Sequence, residues 1–249
     1  MGLLRTCHYN HCKKMNKIKY SNLNQTIIYH NKDKGLYFKS SYDKNSIKSL
    51  NNEYEGFNWY FSKKPELDKS FTNNLKKSIN NNFGKIQIPE LPGYSVKASN
   101  PIHINERYIL RGINEYFSIS NKNDFRFHGD FSVGNLIFNK NECYIIDWEH
   151  SLIEKSFWGV DVLNIFFESI FFSFNKEVMS KKNIQSAKNV YRNILRIFKE
   201  KNIKLFTIHE LIELYRSNSL IWGNSISKLP LLKFNSEQLK VIDSFQKSN

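Results

Sequence analysis

The segment 127–149 constrains the fold more than any other part of the chain, because it combines a hairpin pattern with acidic and amide residues at its ends. Two β-prone runs, 135–138 and 143–146, flank an Asn-Lys-Asn-Glu turn sequence, which favours a two-stranded antiparallel hairpin. The open ends of paired strands meet, so we expect Asn135 and Asp147 to lie close together.

This pairing predicts a magnesium site used in phosphoryl transfer. An amide oxygen beside a carboxylate is a set of hard ligands that suits Mg²⁺, and Asp130 provides a second carboxylate in the loop before Asn135. Phosphoryl transfer uses a metal clamp on the phosphates and a carboxylate beside the attacking hydroxyl. The alternative is a loop whose Asp and Asn side chains only cap turns. The His128-Gly129 pair before Asp130 and the Ile-Ile-Asp-Trp-Glu run after the hairpin favour the chemical interpretation.

The motifs His-Gly-Asp-x-x-x-x-Asn and Ile-Asp-Trp-Glu resemble those of the aminoglycoside phosphotransferase/choline kinase family, the small-molecule relatives of protein kinases. The resemblance implies an α+β, bilobal protein-kinase-like fold that uses Mg²⁺ and ATP, with GTP left open. It makes Asp130 the catalytic residue that meets the acceptor hydroxyl. Asn135 and Asp147 would be the metal ligands. His128 would shape the catalytic loop, and Asp161 would brace it from the following helix.

The N-terminal part of the chain matches the family more loosely. A β-prone pattern over 26–39 with a Gly-containing turn predicts a hairpin, and an amphipathic helix is expected from about Ser46. By resemblance, Lys39 would bind nucleotide phosphates beside a glutamate on this helix. Helical geometry leaves Glu53 and Glu55 open, whereas the family's glutamate-to-tryptophan spacing favours Glu53. No glycine-rich loop precedes Lys39.

Two lobes are expected from the 249-residue length and from the stretch 66–100, which is rich in Asn, Pro and Gly and predicts a loop at a boundary. We assign residues 1–88 to a small, β-rich N-terminal lobe with one helix. Residues 89–249 form the larger, mostly helical lobe that would bind the acceptor. Beyond the helix near Ser46, helices are predicted at about 104–119, 158–174, 180–200, 207–222 and 235–247.

Charge bears on the acceptor. The chain carries 37 Lys and Arg against 23 Asp and Glu, a net charge of +14. Its basic residues are scattered rather than gathered on one stripe, so we do not expect a nucleic-acid partner. From residue 155 onward, fifteen basic residues against eight acidic ones favour a neutral or anionic acceptor, such as a sugar or a surface-polysaccharide precursor, over a polycationic aminoglycoside.

Two alternatives remain open at this point. The first is a choline, ethanolamine or aminoglycoside kinase; for choline, Trp148, Trp158 and Trp222 would supply an aromatic cage for the ammonium group. The second is a catalytically weak, kinase-like protein that only binds nucleotide, which the short N-terminal lobe and the missing glycine loop would suit. The sequence does not indicate an oligomeric state.

The remaining features favour a cytoplasmic protein without a membrane segment. The most apolar run, 160–174, is shorter than the ~20 residues that a bilayer requires and contains Asp161, Asn164 and Glu168. Three cysteines do not make a disulfide framework. The cluster of two cysteines and two histidines at 7–12 lacks a second ligand pair, so we expect no zinc there.

Overall fold

The computed structural model describes residues 17–21, 25–64, 67, 69–140, 142–151, 158–203, 207–210, 212–213 and 234–245. The fold is mixed α+β. The chain divides into two compact units, Met1–Leu91 and Pro92–Asn249, whereas the sequence places the boundary between residues 88 and 89. The cysteine and histidine cluster at 7–12 and Trp222 lie outside the described residues.

The first unit contains a five-stranded antiparallel sheet with the strand order β1-β2-β3-β5-β4. The predicted hairpin is confirmed as β2 and β3, which pair in the register Ile28 with Lys39. Gly35 ends the short turn between them at a φ of 56°, a left-handed conformation that glycine adopts at no steric cost. The five strands are β1 Lys17–Ser21, β2 Thr26–Asn31, β3 Leu36–Ser41, β4 Lys76–Ile79 and β5 Gly84–Pro89.

The described part of this unit contains two helices, rather than the predicted one. Helix α1 spans Lys44–Ser62 and begins where the Asp43 side chain accepts a hydrogen bond from the Ser46 N–H. Its apolar stripe packs against the sheet. The stretch 66–100 is not a continuous loop, because it contains the short helix α2, Lys69–Asn74, in addition to β4 and β5. Ile86 and Ile88 of β5 lie two residues apart and are both buried, so they point to the same side, as alternate residues of a strand do. The flanking Gly and Pro do not prevent this strand from forming.

The second unit is built mainly from helices that pack around a buried one. Helix α4 has apolar side chains on every face, and its first ten residues are all buried. The helix predicted at 104–119 is confirmed and begins two residues earlier, and those predicted at 158–174, 180–200 and 235–247 are confirmed with shorter bounds. The helix predicted at 207–222 lies largely outside the described residues. The helices are α3 Ile102–Ile119, α4 Asp161–Phe171, α5 Lys181–Glu200 and α6 Ser236–Asp243.

Two hairpins complete the second unit. The predicted one is confirmed as β6, Leu136–Asn139, paired with β7, Glu142–Ile145, and Leu136 lies opposite Ile145. The second hairpin, β8 Phe174–Asn175 with β9 Val178–Met179, was not predicted. Within the part of the chain that the structure describes, no helix combines the length and apolarity needed to cross a membrane.

Candidate active site

The loop from Asp130 to Asn135 is closed by the Asn135 side chain. Its Nδ2 donates to the backbone oxygen of Asp130 at 2.9 Å and to Asp130 Oδ2 at 3.2 Å. A short 3₁₀ turn, Val133–Asn135, brings the amide back towards the start of the loop. Because the Asn135 nitrogen faces Asp130, the amide oxygen Oδ1 points away from that carboxylate.

Asp147 lies at the end of β7, beside Asn135. The Ile146 N–H donates to the Asn135 carbonyl oxygen at 3.0 Å, which extends the β6–β7 ladder by one step and brings the next residue, Asp147, to the same end of the hairpin. Asp147 has a φ of 66° and a ψ of 57°. A non-glycine residue in this left-handed region costs about 1–2 kcal/mol, and such residues cluster at functional sites.

His128 fastens the start of the loop to the end of the hairpin. Its Nε2 donates to the Ile146 carbonyl oxygen at 2.8 Å, so Nδ1 is the unprotonated nitrogen that accepts from the Asp130 N–H at 3.2 Å. Burial lowers the pKa of His128 to about 4. The ring is therefore neutral at pH 7, and His128 positions the backbone at Asp130 rather than exchanging protons.

Gly129 is required by close packing between the loop and the segment after the hairpin. Its φ is 83°, and a Cβ at this position would lie 2.6 Å from the carbonyl oxygen of His150. Both the backbone conformation and the lack of space exclude a side chain here. The glycine of the His-Gly-Asp motif thus allows Asp130 to approach residues 147–150.

Asp161, at the start of α4, holds the same loop from the other side. One carboxylate oxygen accepts from the His128 N–H at 2.8 Å and the other from the Gly129 N–H at 3.1 Å. Burial raises the pKa of Asp161 to about 7, although the two backbone donors act in the opposite direction. The side chain is 1% exposed, so its contacts are those of a brace for the loop.

Replacing Asp161 with alanine is expected to destabilise the second unit by about 2–5 kcal/mol, because two buried N–H groups lose their acceptor. Chemical unfolding in urea measures this change in the free energy of unfolding. Glu237→Ala is the matched control, since it removes an exposed carboxylate of the same unit. An effect of Asp161→Ala no larger than that of Glu237→Ala would contradict the role assigned to Asp161.

The electrostatic environment of Asp130 suits a proton acceptor. Burial, followed by the negative charge of Asp147, raises the pKa of Asp130 to about 6. A carboxyl group with a pKa near the working pH can take up a proton during a reaction. The adjacent His150 ring faces Glu149 Oε1 at 3.2 Å. Although burial alone would lower the pKa of His150, the contact with Glu149 raises it above its ordinary value, which favours the protonated form of the ring.

The first unit brings Lys39 and Glu53 together. Lys39 Nζ, on β3, lies 2.7 Å from Glu53 Oε1, on α1, and the two side chains are 14% and 1% exposed. Glu55 instead forms an ion pair with Lys77, at 2.6 Å on the surface. The docking of α1 on the sheet thus separates the two glutamates that the helical pattern alone leaves equivalent.

These two ion pairs permit a matched comparison. Lys39→Met is expected to destabilise the first unit by about 3 kcal/mol, because Glu53 keeps a buried charge and loses this cation. Lys77→Met breaks a pair of similar length on the surface and should cost less than about 1 kcal/mol. Thermal and urea unfolding measure both. Equal losses in the two variants would contradict the structural importance of the buried pair.

Three residues near Asp130 were not identified from the sequence: Glu149, His150 and Glu168. Glu149 is the last residue of the Ile-Asp-Trp-Glu motif and His150 follows it, so their position was a usable signal. Glu168 lies seven residues after Asp161 within an apolar run, a spacing that puts both on one face of a helix.

The tryptophans considered for an aromatic cage are structural where the structure describes them. Trp148 is fully buried, and its Nε1 donates to the Ile145 carbonyl oxygen at 3.1 Å. Trp158 packs edge-on against Phe117. Trp148 therefore cannot offer a ring face to a ligand.

No family model matches the chain, and no curated protein matches it significantly. The assignment of function therefore depends on the motifs and on the geometry of the two groups of residues described above.

Proposed function

We propose that the chain is an ATP- and Mg²⁺-dependent O-phosphotransferase that acts on a hydroxyl group of a small molecule. In this proposal it is a divergent member of the aminoglycoside phosphotransferase/choline kinase group, with the bilobal kinase-like fold of that group. The observation that carries the proposal is the arrangement of Asp130, Asn135 and Asp147 at one end of the β6–β7 hairpin.

The donor set fits magnesium. The Asn135 amide nitrogen is occupied by Asp130, which leaves its oxygen as the coordinating atom, and Asp147 adds a carboxylate from the same end of the hairpin. Both are hard oxygen ligands, and neither thiol nor imidazole is needed. When bound, the ion would neutralise charge on the nucleotide phosphates.

Asp130 is assigned to the acceptor hydroxyl. The hydroxyl oxygen forms a bond to the γ-phosphorus as the bond from that phosphorus to the bridging oxygen of ADP breaks. The hydroxyl proton passes to the carboxylate of Asp130, and ADP leaves with the electron pair of the broken bond. His128 and Asp161 hold the loop so that Asp130 keeps its direction. Lys39, oriented by Glu53, is assigned to the phosphate oxygens of the nucleotide.

A neutral polyhydroxyl acceptor such as a sugar is the favoured substrate class. An aromatic cage for choline is disfavoured because Trp148 is part of the core. Binding of nucleotide without transfer remains the competing function, and it makes a different prediction for the products.

Phosphorus NMR of a reaction mixture tests the proposal. The protein is incubated with Mg·ATP and, one at a time, glucose, N-acetylglucosamine, mannose, glycerol, choline, ethanolamine and kanamycin. The expected result is a new phosphomonoester signal that grows in equal amount with ADP for at least one acceptor, and that disappears when Mg²⁺ is chelated. ATP bound but unchanged with every acceptor would contradict the proposal and favour a nucleotide-binding protein.

A further inference from the structure

Three polar residues interrupt the apolar helix α4 and lie on one of its faces. Asp161, Asn164 and Glu168 are spaced by three and four residues, which aligns them along a helix. The first two hold the loop before and after Asp130. Asp161 accepts from the N–H groups described above, and Asn164 Nδ2 donates to the Phe131 carbonyl oxygen at 3.1 Å. The third continues the same face by one further turn.

Glu168 differs from the other two because one oxygen of its carboxyl group has no hydrogen-bond partner among the described residues. Its side chain is 6% exposed, and among the residues that the structure describes none gives Oε2 a hydrogen bond. Burial, followed by the negative charge of Asp130, raises the pKa of Glu168 to about 8, so the two carboxyl groups lie within electrostatic reach of each other. A buried polar atom without a partner opposes folding.

We propose that Glu168 determines acceptor specificity by hydrogen-bonding to an O–H or N–H group on the carbon next to the acceptor hydroxyl that faces Asp130. This inference rests on the proposed function and names a feature of its substrate. Polyols and amino alcohols both carry such a hydrogen-bond donor on the carbon beside the reacting hydroxyl. A carboxylate or phosphate at that carbon is disfavoured, because its negative charge would face the ionised Asp130.

Substituting Glu168 separates this role from a structural one. Glu168→Met has a similar length and no polar atoms, so it removes the unpartnered group and should raise the melting temperature by about 2–4 °C. The same change should raise the KM for an acceptor with the neighbouring donor by at least about 10-fold, with the effect falling on the acceptor rather than on ATP. Glu237→Met is the control, because Glu237 is exposed and pairs only locally with Lys240.

The experiment compares the best acceptor of the panel with its deoxy and amino analogues at the neighbouring carbon; for glucose these are 2-deoxyglucose and glucosamine. Wild type should discriminate against the deoxy analogue by about 10-fold or more, and Glu168→Met should not. Glu168→Gln distinguishes a hydroxyl donor, as in a polyol, from an ammonium donor, as in an amino alcohol. It should retain binding of the hydroxyl acceptor if a polyol is the substrate, and lose binding as Glu168→Met does if an ammonium group is the substrate.

The outcomes are distinct. Transfer by wild type with the same acceptor KM and the same discrimination in Glu168→Met would overturn the role of Glu168 and leave the phosphotransferase proposal in place. A lower melting temperature with equal loss on all three acceptors would also overturn it, because that pattern indicates a structural residue. Transfer by wild type to no acceptor of the panel would overturn the proposed function, and the inference with it.

Discussion

Asp130→Asn is expected to lower kcat for phosphate transfer by about 10²–10⁴-fold, the usual contribution of a positioned general base. The KM for Mg·ATP should change little, because Asp130 is assigned to the acceptor hydroxyl and not to the metal. The asparagine side chain has the same shape, and its amide removes a negative charge that lies close to Asp147. The folded protein should therefore be no less stable than wild type.

The pH dependence of the same reaction provides an independent check. Burial raises the pKa of Asp130 to about 6, and the base acts in its ionised form. In wild type, kcat/KM for the acceptor should therefore rise as the pH increases towards about 6 and then level off. The residual activity of Asp130→Asn should lack this rise.

Steady-state assays of ADP release with a responsive acceptor measure both effects, and Asp33→Asn serves as the control because Asp33 is exposed on the turn between β2 and β3. If Asp130→Asn turned over at the wild-type rate, Asp130 would not be the base. A loss of activity with a large fall in melting temperature would instead indicate a role in folding.

Asp147→Asn is expected to weaken the binding of Mg·ATP and to lower kcat by about 10²-fold or more, because a carboxylate that would hold the metal becomes a neutral amide. The fold should be retained, since asparagine tolerates the left-handed conformation that Asp147 adopts at a φ of 66°. Loss of the charge should raise the Mg²⁺ concentration that gives half-maximal activity.

Titration of activity with Mg²⁺ at fixed ATP measures this shift, and the far-UV circular dichroism of the variant reports the fold. The effect of Asp147→Asn differs from that of Asp130→Asn in its dependence on Mg²⁺. Identical Mg²⁺ curves for wild type and Asp147→Asn would contradict the assignment of Asp147 as a metal ligand.

Local patterns predicted the elements that surround the site. The β6–β7 hairpin follows from two β-prone runs and a polar turn, and the pairing of its strands brings Asn135 next to Asp147. Both features depend on residues within about a dozen positions of each other, for which propensity and turn chemistry are informative. Helix α4 was predicted for the same reason.

The features that depend on tertiary packing could not be predicted. Glu53 and Glu55 are equivalent on a helical wheel, so only the family resemblance favours Glu53 in the sequence, and the docking of α1 on the sheet is what pairs it with Lys39. Strand β5 was missed because its Ile86 and Ile88 are flanked by residues typical of loops. The left-handed backbone conformation of Asp147 cannot be predicted from its residue type, because most aspartates have a negative φ.

Glu168 was overlooked for a different reason. Its spacing from Asp161 and Asn164 is visible in the sequence, but the family resemblance gives a role to Asp161 alone, and Glu168 within an apolar run indicates only that the run is no membrane segment. The side chains of Asp161 and Asn164 form hydrogen bonds with the loop around Asp130, whereas Oε2 of Glu168 has no such partner. This difference appears only in the contacts of the folded chain.

A crystal structure with Mg²⁺ and a non-hydrolysable ATP analogue tests the central claim most directly. The account predicts a metal ion about 2.1 Å from Asn135 Oδ1 and from a carboxylate oxygen of Asp147. It also predicts that the terminal phosphate faces the carboxylate of Asp130. A nucleotide bound with its metal on other side chains, or no nucleotide bound at saturating concentration, would contradict the phosphotransferase assignment.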